Sequence, residues 1–142
     1  MIRALSALVL LTSLGACEEL ARTGSNNMTA MTDGAEVALV NSSELADLMA
    51  AGNVVLIDVR TPEEFAEGRL PGALNAPVET FGPAAIPIED GRETIFYCRS
   101  GNRSEHAARV LAEEIGGRVR HLDGGIVAWK AADGEIVIQP ER

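Results

Sequence analysis

Cys98 is followed without a break by Arg99, Ser100, Gly101, Asn102, Arg103 and Ser104. A thiol, two guanidinium groups, two hydroxyls and a glycine thus share seven consecutive positions. A cysteine becomes a nucleophile as its thiolate, and the thiolate forms where positive charge or hydrogen-bond donors surround it. Gly101 lets so short a segment turn tightly. A tight turn aims its backbone N–H groups inward, around the sulfur. That cradle stabilises an anion: first the thiolate, then an anionic substrate. Arg99 and Arg103 add full charges where such a substrate would sit. Arg103 stands where a helix begins and is the better placed of the two to fix the loop's shape. Ser104 either caps that helix or donates a hydrogen bond to sulfur. The competing reading is a small buried cysteine at a strand end with its arginines in solvent, since buried free cysteine is common. The order strand, loop, glycine, two arginines, helix favours function.

The flanking elements place this loop. Thr94–Tyr97 is an apolar run that reads as a buried strand ending at Cys98. Ser104 to Ile115 reads as a helix with Ala108, Leu111 and Ile115 on one face, stopped by Gly116 and Gly117. A strand end followed by a helix N-terminus is where open α/β sheets bind ligands, and the helix end adds partial positive charge. Elsewhere, Glu36–Val40 reads as a short strand. Ser42 or Ser43 caps a helix carrying Leu45, Leu48 and Met49, ended by Gly52. The run Val54 to Val59 has the length and branching of a strand buried on both faces. Thr61-Pro62-Glu63-Glu64 has the cap, the first-turn proline and the acid three residues on that start a helix, and Gly68 ends it. Four of the six prolines (Pro71, Pro77, Pro83, Pro87) fall in residues 69–92, a loop with a short strand near Ala73–Asn75. Val119–Leu122 is a last strand, and Ile126–Ala131 a short helix carrying Trp129. Strand alternates with helix throughout, which predicts an α/β domain with a mostly parallel sheet and helices on both faces.

The 142 residues suit one domain, and 46% apolar residues suffice for a core. A net charge of −9 argues against nucleic acid and anionic membrane surfaces, so any anion site must be local. The start, MIRALSALVLLTSLGAC, has a positive Arg3 and then an apolar run too short to span a bilayer, which takes about 20 residues. It reads as a secretory signal. Its end, Leu14-Gly15-Ala16-Cys17, resembles a bacterial lipobox, in which the cysteine is lipidated and becomes the new amino terminus. The simpler alternative is an ordinary cleaved signal with a chance cysteine. The lipobox reading divides the chain into a lipoprotein signal at 1–16, lipidated Cys17 with a flexible polar tether at 17–34, and a folded domain at 35–142. It anchors the domain to membrane on the periplasmic side of the cell envelope and leaves Cys98 as the one free thiol.

Four stretches together resemble the rhodanese family of sulfurtransferases. Cys98, Gly101, Arg103 and Ser104 match its C-x-x-G-x-R-S loop. "LIDVRTPEEFAEGRLPGALNAP" (Leu56 to Pro77) resembles its D-V-R and P-G-A-x-N-x-P segments. "LDGGIVAWKAADGEIV" (Leu122 to Val137) resembles its closing D-G-G-x-x-A-W segment. They cover about residues 36–138 in the family's order. The resemblance implies a three-layer fold with a five-stranded parallel sheet in the order 3-2-4-5-1. It implies that Cys98 takes a sulfane sulfur from a donor such as thiosulfate as a persulfide and passes it to a thiol or cyanide. No metal or organic cofactor is implied. Residues 99–104 would form the substrate cradle. The six-residue loop from Cys98 to Arg103 is one residue shorter than that of the related cysteine phosphatases, which favours sulfur over phosphate. Its cationic side chains suit an anionic donor better than the neutral loop of mercaptopyruvate enzymes. Arg69-Leu70 replaces the usual His-Ile before P-G-A, at a position that the resemblance makes structural, near the start of a loop; the change is compatible with activity and bears on substrate access.

Other polar residues read as structural. Asp58 and Arg60 form a supporting pair tying loops together, with Arg60 able to face the pocket. Glu64 is a helix cap rather than a general acid, and His106 and His121 are lone histidines. Trp129 packs under a turn shaped by Asp123, Gly124 and Gly125. No cluster has metal-ligand spacing. Two rival functions remain at this level: an envelope protein-binding module with little or no catalysis, and a phosphatase or arsenate-type reductase, which the short loop disfavours.

Overall fold

The computed structural model describes residues 34–138. The signal, Cys17 and all but the last residue of the tether lie outside the described residues. Strand and helix alternate: β1 (Glu36–Val40), α1 (Ser42–Ala50), β2 (Val54–Asp58), α2 (Pro62–Glu67), β3 (Leu74–Asn75), β4 (Glu93–Tyr97), α3 (Asn102–Ile115), β5 (Arg118–Leu122) and α4 (Gly125–Ala131). Two single 3-10 turns, Val78–Thr80 and Pro83–Ala85, break the proline-rich stretch. The strands lie in the order β1-β5-β4-β2-β3, and every neighbouring pair is parallel. Read from the other edge, this is 3-2-4-5-1.

The strands explain the layers. All five residues of β2 are buried, as a strand covered on both faces must be. Along β4, side chains alternate between faces. Ile95 and Tyr97 join Val40, Leu45, Leu56, Leu122, Ile126 and Trp129, the layer under α1 and α4. Phe96 and Cys98 join Ile57, Ala108 and Leu111, the layer under α3. The last residue of β4 and the cysteine after it therefore face opposite layers, and Cys98 emerges beneath the N-terminus of α3.

Three local expectations differ from the structure, two of them by a residue or two. Asn41, not Ser42 or Ser43, caps α1, its side chain accepting from the Glu44 N–H at 2.9 Å. The chain leaves β1 at Val40, so Asn41 is the first residue free to cap. Helix α3 starts at Asn102, so Ser104 lies inside its first turn rather than ahead of it. Ile115, the last residue of α3, is 44% exposed because the turn through Gly116 ends the core layer there. The start of α2 is as the sequence implies: Thr61 and Glu64 form a reciprocal capping box with Pro62 at the first position, and Gly68 closes the helix.

Candidate active site

The loop that leaves β4 folds back on its own cysteine. Gly101 has φ +114°, in the left-handed region that disfavours side chains, and the helix begins at the next residue. Its N–H donates to Cys98 Sγ at 3.1 Å. Its carbonyl accepts from the Ser104 hydroxyl at 2.9 Å and from the Glu105 N–H. Cys98 is 1% exposed, so its sulfur lies at the floor of the loop while Arg99 and Ser100 stand on the exposed rim. Burial is the largest single influence on the thiol and opposes ionisation. The Ser104 hydroxyl and the N–H groups of Ser104, Gly101 and Ser100 outweigh it together, and the thiol ends below its ordinary pKa.

Three neighbours hold the loop. From α2, Glu64 takes both ends of the Arg103 guanidinium, at 2.8 and 3.0 Å. These bonds, helped by the Thr61 N–H, outweigh burial and bring the Glu64 carboxyl down to about 2. Arg103 therefore spends its charge on a carboxylate that the sequence assigns to capping. From α4, the N–H groups of Ile126 and Val127 donate to the carbonyls of Cys98 and Arg99 at 2.8 and 3.2 Å. This approach needs Gly125: a Cβ there would lie 2.5 Å from the Cys98 carbonyl oxygen. From β5, His121 Nδ1 lies 3.3 Å from Ser104 Oγ, both residues being buried.

Asp58 and Arg60 form the supporting pair. The Asp58 side chain is fully buried, and Arg60 meets its Oδ2 at 2.6 Å. Arg60 also donates to the Gly68 carbonyl at 2.7 Å, tying the segment after β2 to the end of α2. Asn75 completes the corner by donating to the carbonyls of Asp58 and Arg60. Burial and the Asp58 charge push the Tyr97 phenol well above its ordinary pKa, so Tyr97 stays neutral in this corner.

The loop stands between two grooves. On one side, Arg99 joins Arg60, Glu64, Glu67, Val127 and Lys130 around about 470 Å3. On the other, Ser100, Gly101 and Asn102 share about 480 Å3 with residues of β1, α3 and β5, among them His121. The expected loop residues, 98–104, thus sit together, with Arg60 across the first groove. His106 is exposed on α3, and Trp129 is core, its indole N–H on the Glu135 carbonyl at 2.8 Å. Asn75 and His121 were not expected at the site. Asn75 lies within Leu56–Pro77, a segment whose resemblance rests on the stretch as a whole. Nothing local to His121 signals its place, because the parallel pairing of Phe96 with His121 brings it there.

A buried cysteine at a strand end, with the Gly101 N–H on its sulfur and its thiol below the ordinary pKa, is equipped for nucleophilic attack on an electrophilic atom carried by an anion. Known proteins point the same way. The family model of the rhodanese-like domain matches residues 41–132. The chain is 39% identical over 103 residues to a sulfurtransferase of Allochromatium vinosum, covering 72% of this chain and 95% of that one. It is 31% identical over 96 residues to the putative sulfurtransferase YtwF of Bacillus subtilis, covering 67% and 92%. Its fold is similar to a rhodanese-like domain protein from Staphylococcus aureus, with a TM-score of 0.59, 27% identity, and coverage of 72% of this chain and 98% of that one.

Proposed function

The chain belongs to the rhodanese-like family, and from that premise we propose that it is a sulfurtransferase working through a persulfide on Cys98. The observation that carries this reading is the Gly101 N–H, at the bend of the loop, donating to the buried Cys98 Sγ at 3.1 Å. In the first half-reaction, the Cys98 thiolate attacks the sulfane sulfur of a donor such as thiosulfate. The new bond joins Cys98 Sγ to that sulfur, and sulfite leaves with the electron pair of the broken S–S bond. In the second, an acceptor thiolate or cyanide attacks the outer sulfur. The Cys98 thiolate leaves with its electron pair, so the cycle needs no outside oxidant or reductant. The N–H groups that favour the thiolate also suit the anionic persulfide.

Arg99 supports an anionic donor. It is exposed on the rim, and it makes no ion pair with any described residue. Arg103 serves the cradle through its shape, since Glu64 occupies its guanidinium. Ser100, Asn102 and Ser104 complete the ring. The lipobox-like Leu14–Cys17 supports a lipid anchor for this chemistry at the periplasmic side of an envelope membrane. Labelling of the expressed protein by an alkynyl fatty acid, absent in Cys17→Ala, tests that placement.

Intact-protein mass after incubation with thiosulfate tests the function. The expected result is a gain of one sulfur atom that disappears in Cys98→Ser while the circular dichroism spectrum stays unchanged. No adduct with thiosulfate or any other sulfane donor would overturn the reading and favour the envelope protein-binding module, which uses the loop weakly or not at all.

A further inference from the structure

His121 has no part in the sulfur chemistry described so far, yet it is one of the few buried polar side chains close to the loop. It lies on β5, one strand away from the β4 that ends at Cys98. Parallel pairing sets it beside Phe96. Phe96 and Cys98 project towards the layer under α3. His121 faces the same way and meets Ser104 on the first turn of α3. Its Nδ1 is 3.3 Å from Ser104 Oγ, and Ser104 is fully buried.

The Ser104 hydroxyl has one proton and two lone pairs. In the resting thiol its best acceptor is the Gly101 carbonyl, at 2.9 Å. With the proton committed there, Ser104 Oγ can only accept from His121, so Nδ1 must carry hydrogen. We infer that His121 is a positioning residue: its Nδ1–H donates to Ser104 Oγ, and thereby orients and polarises the hydroxyl that holds the carbonyl of Gly101, the residue whose N–H donates to Cys98 Sγ. When Cys98 ionises, the hydroxyl stays on the Gly101 carbonyl and Nδ1–H keeps hold of the oxygen, so the Gly101 N–H stays aimed at the sulfur. The thiol proton leaves to solvent. His121 neither takes nor gives a proton. A donor to the oxygen strengthens the bond that the hydroxyl makes, because chained hydrogen bonds polarise one another.

The imidazole works in its neutral form. Burial lowers its pKa, opposed by the charges of Glu105 and Asp123. Those two acids and Arg109, which pairs with Glu105 at 2.7 Å, are the charged groups around its cavity. β1 contributes only Val37, Ala38 and Leu39, and β4 contributes Phe96. The arrangement bears on sulfur transfer only through the proposed use of Cys98 as nucleophile. The geometry itself stands without that reading.

Alkylation of Cys98 by iodoacetamide, followed by peptide mass across a pH series, reads the thiolate directly and needs no sulfur donor. It therefore answers even for a protein that forms no persulfide. His121→Leu removes the donor. It should move the alkylation midpoint upward and slow the reaction roughly three- to tenfold one unit below the wild-type midpoint, leaving the high-pH plateau unchanged. His121→Asn puts an amide N–H near the place of Nδ1–H and should restore the midpoint. In a Ser104→Ala background, His121→Leu should add nothing, since the effect runs through the hydroxyl. An unmoved midpoint in His121→Leu, a failure of His121→Asn to restore it, or a full shift in the Ser104→Ala background would each overturn the inference.

Discussion

Glu64→Gln keeps the size of the side chain and removes the charge that Arg103 grips. The folded protein lowers this carboxyl from its usual 4.5 to about 2. In a dry interior that span would correspond to about 3 kcal/mol of stability. The two side chains are 31% and 29% exposed, so solvent screens the pair and about 1–2 kcal/mol is the better expectation. The folded pKa is depressed, so this contribution is fully present above the unfolded value near 4.5 and is lost as pH falls through about 2. Urea unfolding at pH 7 should find Glu64→Gln less stable by about 1–2 kcal/mol, with an unchanged slope against urea. Repeated at falling pH, the gap between variant and wild type should narrow below 4.5 and close near 2. The residual hydrogen bonds of the amide to Arg103 and Thr61 push the value towards the lower end of the range. A gap under about 0.3 kcal/mol at pH 7 would refute the view that this pair braces the loop. So would a gap that stays constant between pH 7 and pH 3, because a loss independent of the carboxylate's charge would come from packing alone.

Two further substitutions probe the other supports. Gly125→Ala would drive a Cβ to 2.5 Å from the Cys98 carbonyl oxygen at a φ of +58°. The backbone of the loop must shift, so the proposed persulfide formation from thiosulfate should fall at least tenfold and thermal stability by several kcal/mol, read by intact-protein mass and melting. Arg60→Met leaves the fully buried Asp58 carboxylate without its guanidinium. Chemical denaturation should register a loss of about 3–5 kcal/mol, most of it recovered when Asp58→Leu is added, since the cost lies in the orphaned charge.

What the sequence made legible was contiguous or periodic. The thiol, the glycine that bends the chain back and the helix that follows are neighbours, so their joint purpose could be read from Cys98 to Ser104. The capping box at Thr61 and Glu64 spans a single turn, and it formed as its spacing implies. The apolar run Val54–Ile57 that opens β2 has the pattern of a strand in a parallel sheet. Less legible was what crosses between elements. Glu64 was recognisable as a cap, but its second role needs Arg103, 39 residues away. His121 looked solitary because its partner lies across a strand pairing that the sequence does not encode locally. The start of α3 was misplaced for a related reason. Ser104 is a good cap by residue type, but the loop closes directly from Gly101 into the helix, leaving the serine inside the first turn with its hydroxyl turned back on the loop.

These long-range contacts share a logic. A ring of N–H groups favours a thiolate only if the groups converge before the charge appears; donors that must reorganise lose much of their benefit. Six residues of loop cannot enforce such convergence, because their own hydrogen bonds are few. The constraint comes from three directions: α2 through Arg103, α4 through the carbonyls of Cys98 and Arg99, and β5 through Ser104. None of the three takes a donor away from the sulfur. Arg103 is gripped by its guanidinium, α4 draws on the carbonyls of Cys98 and Arg99, and His121 grips the Ser104 oxygen rather than an N–H of the loop. The loop can therefore be rigid and still keep its N–H groups for an anion. Arg99, exposed on the rim and unpaired among the described residues, supplies the one full positive charge of the loop that no bracing contact has consumed.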